Sequence, residues 1–121
     1  MPTRPRRVLL VEDEMLIAME MEDLLVELGF EVVGPAMRLK RAAELAARET
    51  LDFALLDINL ASETSFPVAR LLRARQLPFA FVTGYGVAGL TDEFKDTPTL
   101  QKPVDRHHLQ RVVRAISEAA R

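Results

Sequence analysis

The chain has 121 residues, 49% of them hydrophobic, and a formal net charge of −2 from 16 basic and 18 acidic side chains. This size and composition are typical of one globular domain, and the near-balanced charge argues against binding to nucleic acid or to a membrane. The sequence has no cysteine, and no apolar stretch approaches the roughly 20 residues that span a bilayer. We therefore expect one domain over residues 7–121, preceded by a short arm at residues 1–6.

The first half of the chain alternates short apolar runs with helical patterns. Val8 to Val11 predicts a buried strand, and Gly29 is a typical residue to end the helix that follows it. That helix repeats apolar residues at helical spacing on its core side, namely Ile17, Met21, Leu24 and Leu28. "FEVVGPA" (30–36) predicts the second strand, the alanine-rich "RLKRAAELAARE" (38–49) a helix, and "DFALLD" (52–57) the third strand.

The second half continues the alternation. "SFPVARLLRARQ" (65–76) predicts a helix with Ser65 as N-cap and Pro67 in its first turn. "PFAFV" (78–82) predicts the fourth strand, the stretch from there to Phe94 a short helix, and "TLQ" (99–101) a small fifth strand. The last helix begins at a cap from Asp105 and carries an apolar stripe of Leu109, Val112, Val113, Ile116 and Ala120.

Five strands alternating with five helices predict an α/β fold. We expect a five-stranded parallel sheet, doubly wound and flavodoxin-like, with strand order 2-1-3-4-5. In such sheets, ligands bind beyond the carboxyl ends of the strands.

Polar side chains follow the carboxyl ends of four predicted strands. Glu12 and Asp13 follow the first strand, Asp57 ends the third, Thr83 follows the fourth and Lys102 follows the fifth. Three carboxylates on one sheet edge suit a hard cation such as Mg²⁺, which also grips phosphoryl oxygens. A carboxylate beside that cation, a lysine and a hydroxyl can act as a nucleophile toward phosphorus.

Each of these residues also has a structural interpretation. The acids at 12–14 could favour the start of the first helix through its dipole, and Asp57 could cap a turn. Thr83 could be an ordinary strand residue, and Lys102 a solvated surface lysine. Their coincidence on one sheet edge favours a functional site.

The ordered set resembles the receiver domain of bacterial two-component response regulators, over residues 7 to about 119. The resemblance implies that Asp57 in "LLDINL" accepts a phosphoryl group. It further implies a Mg²⁺ or Mn²⁺ ion held by Asp13, by Asp57, by the backbone carbonyl of Asn59, and by Glu12 through water. In the family, a small residue follows the switch position and lets the phosphoryl donor approach, which matches Gly84.

Two further positions complete the resemblance. Thr83 matches the family's switch threonine or serine, and Lys102 in "QKP" matches its lysine, where the Lys–Pro bond is usually cis. Many receivers carry an aromatic residue three positions before that lysine, but this chain has Thr99 there. We expect Tyr85, between two glycines, to take over the switch movement or else to shield the site.

The implied function is a phosphorylation-dependent switch in the bacterial cytoplasm. A sensor histidine kinase or phosphotransfer protein would supply the phosphoryl group, and the chain would catalyse only its own phosphotransfer and dephosphorylation. "PFAFVTGYG" resembles the signature of stand-alone receivers called FATGUY, with Val82 at the alanine position. Because the sequence ends just after the last helix, we expect a single-domain protein, monomeric or weakly dimeric, whose output is binding to another protein.

Three alternatives remain at this point. The chain could be a phosphate relay or sink without its own output. An aspartyl phosphatase of the haloacid dehalogenase kind would need a carboxyl group where this sequence has Asn59. A flavodoxin would need a glycine- and hydroxyl-rich phosphate loop, whereas "EDE" after the first strand would repel phosphate.

The first helix also has an unusual outer side. At 100° per residue, Met15, Met19 and Val26 share a stripe nearly opposite the core stripe. The alternative is a scatter of unrelated surface residues. We expect this stripe to be a docking surface for the kinase's phosphotransfer domain, since methionine adapts well to helix faces.

Overall fold

The computed structural model describes residues 6–84 and 90–119, with side chains described as far as residue 116. Its strands are β1 (Arg7–Val11), β2 (Glu31–Ala36), β3 (Phe53–Asp57), β4 (Asn59–Leu60), β5 (Glu63–Thr64), β6 (Phe79–Thr83) and β7 (Thr99–Gln101). Its α-helices are α1 (Met15–Glu27), α2 (Leu39–Arg48), α3 (Phe66–Ala74) and α4 (Arg106–Ala119). No described helix is long and apolar enough to span a bilayer.

Five strands form one parallel sheet in the order β2-β1-β3-β6-β7. With the β4–β5 pair left out of the numbering, this is the predicted order 2-1-3-4-5, so the predicted fold is confirmed. Every residue of β3 and β6 is buried. The sequences of these strands are nearly uninterrupted apolar runs, because helices cover both faces of the sheet.

Alternate strand residues enter two separate cores. Val8 and Leu10 of β1 face the core beneath α1 and α4, while Leu9 and Val11 face the core beneath α2 and α3. Because successive side chains of a strand point to opposite faces of the sheet, each apolar run contributes residues to both cores.

Helix α1 follows its predicted pattern only in part. Met21 is buried, and the other predicted core residues, Ile17, Leu24 and Leu28, are half-buried against the same core. Ala18 and Leu25 are buried as well, which the sequence interpretation missed. Gly29, with φ +93°, donates its N–H to the carbonyl of Val26, so the predicted helix end is confirmed.

The chain after β3 contains a hairpin that the sequence analysis did not predict. β4 and β5 pair antiparallel, with Asn59 opposite Thr64 and Leu60 opposite Glu63. The predicted helix before Phe94 is only partly covered by the described residues. Its residues 85–89 lie outside the described residues, and the described remainder is a single 3₁₀ turn, Asp92–Phe94.

The two predicted helix caps have different outcomes. Asp105 accepts a hydrogen bond from the N–H of His108 at 3.0 Å through its carboxylate, as predicted. Ser65 is the N-cap residue of α3, as predicted, but its side chain makes no capping hydrogen bond. The physical reason is its backbone: N-caps are usually extended, whereas Ser65 has φ −85° and ψ 6°.

Candidate functional site

The predicted site residues meet at the carboxyl edge of the sheet. Glu12 follows β1, Asp57 ends β3, Thr83 ends β6 and Lys102 follows β7. An open cleft of about 350 Å³ lies there, lined by Asp13, Glu14, Asp57, Asn59, Ala61, Thr83, Gly84 and Lys102. Glu12 is fully buried beneath the cleft.

Lys102 is the positive charge at the centre of this site. Its Nζ lies 3.3 Å from Asp57 Oδ2, 3.2 Å from Glu12 Oε2 and 3.3 Å from Glu14 Oε1. Burial alone would lower the pKa of Lys102, but the hydrogen bond to Glu12 and the charges of Asp57 and Glu12 outweigh it and raise the pKa. Lys102 is therefore an ammonium at neutral pH.

The backbone fixes where Lys102 points. Its N–H donates to the carbonyl of Thr83 at 2.9 Å, which extends the β6–β7 ladder by one bond. The Lys102–Pro103 peptide bond is cis, as the family resemblance led us to expect. The contact with Glu14 was not predicted from the sequence, because it depends on the turn between β1 and α1.

Asp57 is a carboxyl group that ionises with difficulty. Only 6% of the residue is exposed. Burial first, and then the hydrogen bond and charge of Glu12, raise the pKa of Asp57 to about 7, although Lys102 partly opposes them. The site thus holds more negative charge than its single lysine neutralises.

Asp13 is held by a contact that the sequence analysis did not anticipate. Its Oδ2 accepts a hydrogen bond from the backbone N–H of Ala61 at 2.8 Å. Ala61 lies at the tip of the β4–β5 hairpin and has φ +56°. The hairpin therefore reaches back across the cleft to the acids after β1.

The donor set fits a hard cation. One carboxylate oxygen each from Glu12, Asp13 and Asp57 lie within 4.8 Å of one another. Glu12 Oε1 is buried and has no hydrogen-bond partner, although Lys102 Nζ lies 3.1 Å away outside hydrogen-bonding geometry. An oxygen-rich cluster with excess negative charge is the environment that Mg²⁺ prefers.

The remaining predicted residues lie at the rim of the cleft or outside the described chain. Thr83 is 3% exposed and faces the cleft, and Asn59 is exposed at its edge. A Cβ added at Gly84 would meet no atom of the described residues within 4 Å. Tyr85 lies outside the described residues.

The outer side of α1 begins beside the cleft, directly after Glu14. Met15, Met19 and Val26 are exposed there, as the helical arithmetic predicts. Leu16, which the sequence analysis omitted, is 75% exposed and is the most exposed large apolar residue of the described chain. Helical periodicity does indicate its exposure, because Leu16 lies 100° from Met15, outside the core stripe.

This fold and cleft define a class of protein, the open α/β domains that bind ligands at the carboxyl edge of a parallel sheet. Residues 8–114 match the sequence profile described as the response regulator receiver domain. The chain therefore belongs to the response regulator receiver family.

Several relatives support this assignment. The solution structure of SdrG from Sphingomonas melonis Fr1 is 37% identical, with a TM-score of 0.85 over 95% of this chain and 98% of SdrG. The receiver domain of the sensor histidine kinase PA1611 from Pseudomonas aeruginosa PAO1 is 26% identical, with a TM-score of 0.83 over 94% of this chain and 98% of that domain. That structure is described with a magnesium ion coordinated in its active site cleft.

A curated relative is longer than this chain. The transcriptional regulatory protein PdtaR of Mycobacterium tuberculosis (strain ATCC 25618 / H37Rv) is 28% identical over 116 residues. The match covers 95% of this chain but 57% of PdtaR. The chain thus spans little more than half the length of this relative.

Proposed function

We propose that this domain is a phosphorylation switch in which Asp57 takes a phosphoryl group from a phosphohistidine. The observation that carries the proposal is the position of Asp57, at the floor of an open cleft with Lys102 Nζ 3.3 Å from its Oδ2. The donor would be a sensor histidine kinase or a phosphotransfer protein, the partners that receiver domains have in general.

In the proposed transfer, Asp57 acts as the nucleophile. A carboxylate oxygen forms a bond to phosphorus while the bond from phosphorus to the donor's imidazole nitrogen breaks, and the electron pair of that bond leaves with the imidazole. Only the ionised carboxyl can attack. Lys102 favours the ionised form of Asp57 and can also neutralise an oxygen of the transferring group.

Mg²⁺ would complete the site, held by Asp13, Asp57 and the backbone carbonyl of Asn59, with Glu12 acting through water. When bound, the cation supplies charge neutralisation on the phosphoryl oxygens. The Thr83 hydroxyl can donate a hydrogen bond to one of those oxygens, so its position would report the phosphorylated state. Gly84 has no side chain that could hinder the donor's approach, and a Cβ there would meet no described atom within 4 Å.

The proposed output is altered binding to a protein partner. We propose that catalysis by this domain is limited to its own phosphotransfer and dephosphorylation, since Asn59 offers no acid or base two residues after Asp57. Support for a stand-alone role comes from the sequence "PFAFVTGYG" alone. A phosphate relay or sink would use the same site without a partner response.

Asp57→Asn tests the proposal. With Mg²⁺ and a small donor such as acetyl phosphate, the wild-type protein should acquire an acid-resistant, base-labile phosphoryl group, and the variant should not. Asp96→Asn is the matched control, because Asp96 is exposed and lies outside the cleft. Phosphorylation of Asp57→Asn at the wild-type rate would contradict the assignment.

A further inference from the structure

The tip of the β4–β5 hairpin has an unusual backbone for its sequence. Ala61 and Ser62 form the two-residue loop between Leu60 and Glu63. Of these two loop residues only Ala61 has positive φ, at +56°. Positive φ at the first loop position alone is the pattern of a type II′ turn, where glycine is preferred because a Cβ disfavours this conformation.

In this unfavourable conformation, the backbone N–H of Ala61 makes one specific hydrogen bond. The N–H of a first loop residue has no partner in the hairpin ladder and must find one elsewhere or face water. In this fold it donates to Asp13 Oδ2 at 2.8 Å, a short bond to a charged acceptor from a residue 48 positions away in the chain.

The Asp13 carboxylate can accept the hydrogen bond from Ala61 and bind a cation at the same time. A carboxylate offers about four lone-pair sites on its two oxygens, so one N–H bond leaves sites free. Ala61 itself lines the cleft with Asp13 and Asp57. The bond therefore orients Asp13 at the place where the three acids converge.

We propose that Ala61 is a positioning residue for the cation site, and that its backbone N–H holds the Asp13 carboxylate toward Asp57 and so preorganises the acidic cluster. The proposal rests on the proposed function in so far as the cation serves phosphoryl transfer. Groups that orient a metal-binding side chain typically change metal affinity by about ten- to a hundredfold when they are lost. Because this donor belongs to the backbone, only substitution by proline would remove it, and proline cannot adopt the positive φ of Ala61.

The decisive test replaces the N–H alone. A semisynthetic protein with lactic acid in place of Ala61 has an ester at this peptide unit, which deletes the donor and keeps the methyl group. The matched control is the corresponding ester at Ser62, whose N–H donates no hydrogen bond to any described residue. Mg²⁺ affinity is measured on unphosphorylated protein by NMR titration of backbone amide signals.

We expect the ester at Ala61 to weaken Mg²⁺ binding about tenfold, and the ester at Ser62 to leave the affinity within about twofold of wild type. If the ester at Ala61 lowers the melting temperature but leaves the Mg²⁺ affinity unchanged, the bond only stabilises the hairpin and the proposal is overturned.

A second measurement tests the contact without changing position 61. In Asp13→Ala, hydrogen exchange at the Ala61 amide should become faster, while the ladder amides of the hairpin keep their protection. Unchanged exchange at Ala61 would overturn the inference. Phosphorylation of the wild-type protein separates this inference from the proposed function: a wild type that binds Mg²⁺ but takes no phosphoryl group contradicts the function and leaves the positioning role standing.

Discussion

Replacing Asp57 by asparagine should stabilise the metal-free protein by an amount that depends on pH. In the folded protein the pKa of Asp57 is about 7, against 3.8 for an unperturbed aspartate. Below the lower value the carboxyl is protonated in the folded and the unfolded chain alike, so it makes no difference to stability. Between the two values the unfolded chain releases the proton while the folded protein keeps it, so stability falls as pH rises.

The magnitude follows from the same two values. One pKa unit corresponds to about 1.36 kcal/mol. The penalty on wild-type stability is therefore on the order of 4 kcal/mol at pH above 7, and is nearly absent at about pH 4. Asparagine has no charge to desolvate and can still accept a hydrogen bond from Lys102, so Asp57→Asn should escape the penalty.

Urea unfolding in EDTA, followed by far-UV circular dichroism at about pH 4.5 and about pH 8, measures this effect. The free energy of unfolding of Asp57→Asn should exceed that of wild type by more at the higher pH than at the lower one. Asp96→Asn should differ from wild type by the same amount at both pH values. Saturating Mg²⁺ at the higher pH should narrow the gap, because the cation binds the charged cluster of the wild type more tightly. If Asp57→Asn is more stable than wild type by the same free energy of unfolding at both pH values, the raised pKa of Asp57 is not the cause of that difference.

Three further predictions concern the site and its surroundings. Asp13→Asn should weaken Mg²⁺ binding at least tenfold by removing a charged ligand, and identical titrations of the variant and the wild type would contradict this. Met15→Lys with Met19→Lys should slow transfer from the kinase but spare acetyl phosphate, with Leu71→Lys on α3 as the control; equal effects on both donors would exclude docking. Tyr85→Ala should leave the initial phosphorylation rate near normal but abolish the affinity difference for a partner between the two states, whereas faster dephosphorylation alone would mean that Tyr85 is a shield.

The sheet and the convergence of its polar ends were predictable because they follow from periodicity. Strand and helix patterns predict which faces are buried, and parallel strands bring their carboxyl ends to one edge. The sequence alone therefore places Glu12, Asp57, Thr83 and Lys102 together. Their order along the chain was enough, since each directly follows or ends a predicted strand.

The missed features depend on local backbone geometry that residue type does not signal. "NLASET" (59–64) carries no glycine or asparagine at its loop, so the hairpin and the positive φ of Ala61 were not predicted. The contact of Ala61 with Asp13 depends on that hairpin. Ser65 is the reverse case, since its residue type favours a side-chain cap that its backbone does not allow. Its backbone angles keep the hydroxyl from capping α3.

The identity of the phosphorylated residue tests the account most directly. Wild-type protein incubated with acetyl phosphate and Mg²⁺ is treated with sodium borohydride, which reduces an aspartyl phosphate to homoserine, and the peptides are sequenced by mass spectrometry. The account predicts homoserine at position 57 and at no other aspartate. Homoserine at position 13 or 52 with none at position 57 would contradict the account. A phosphorylated histidine with no homoserine at position 57 would contradict it as well.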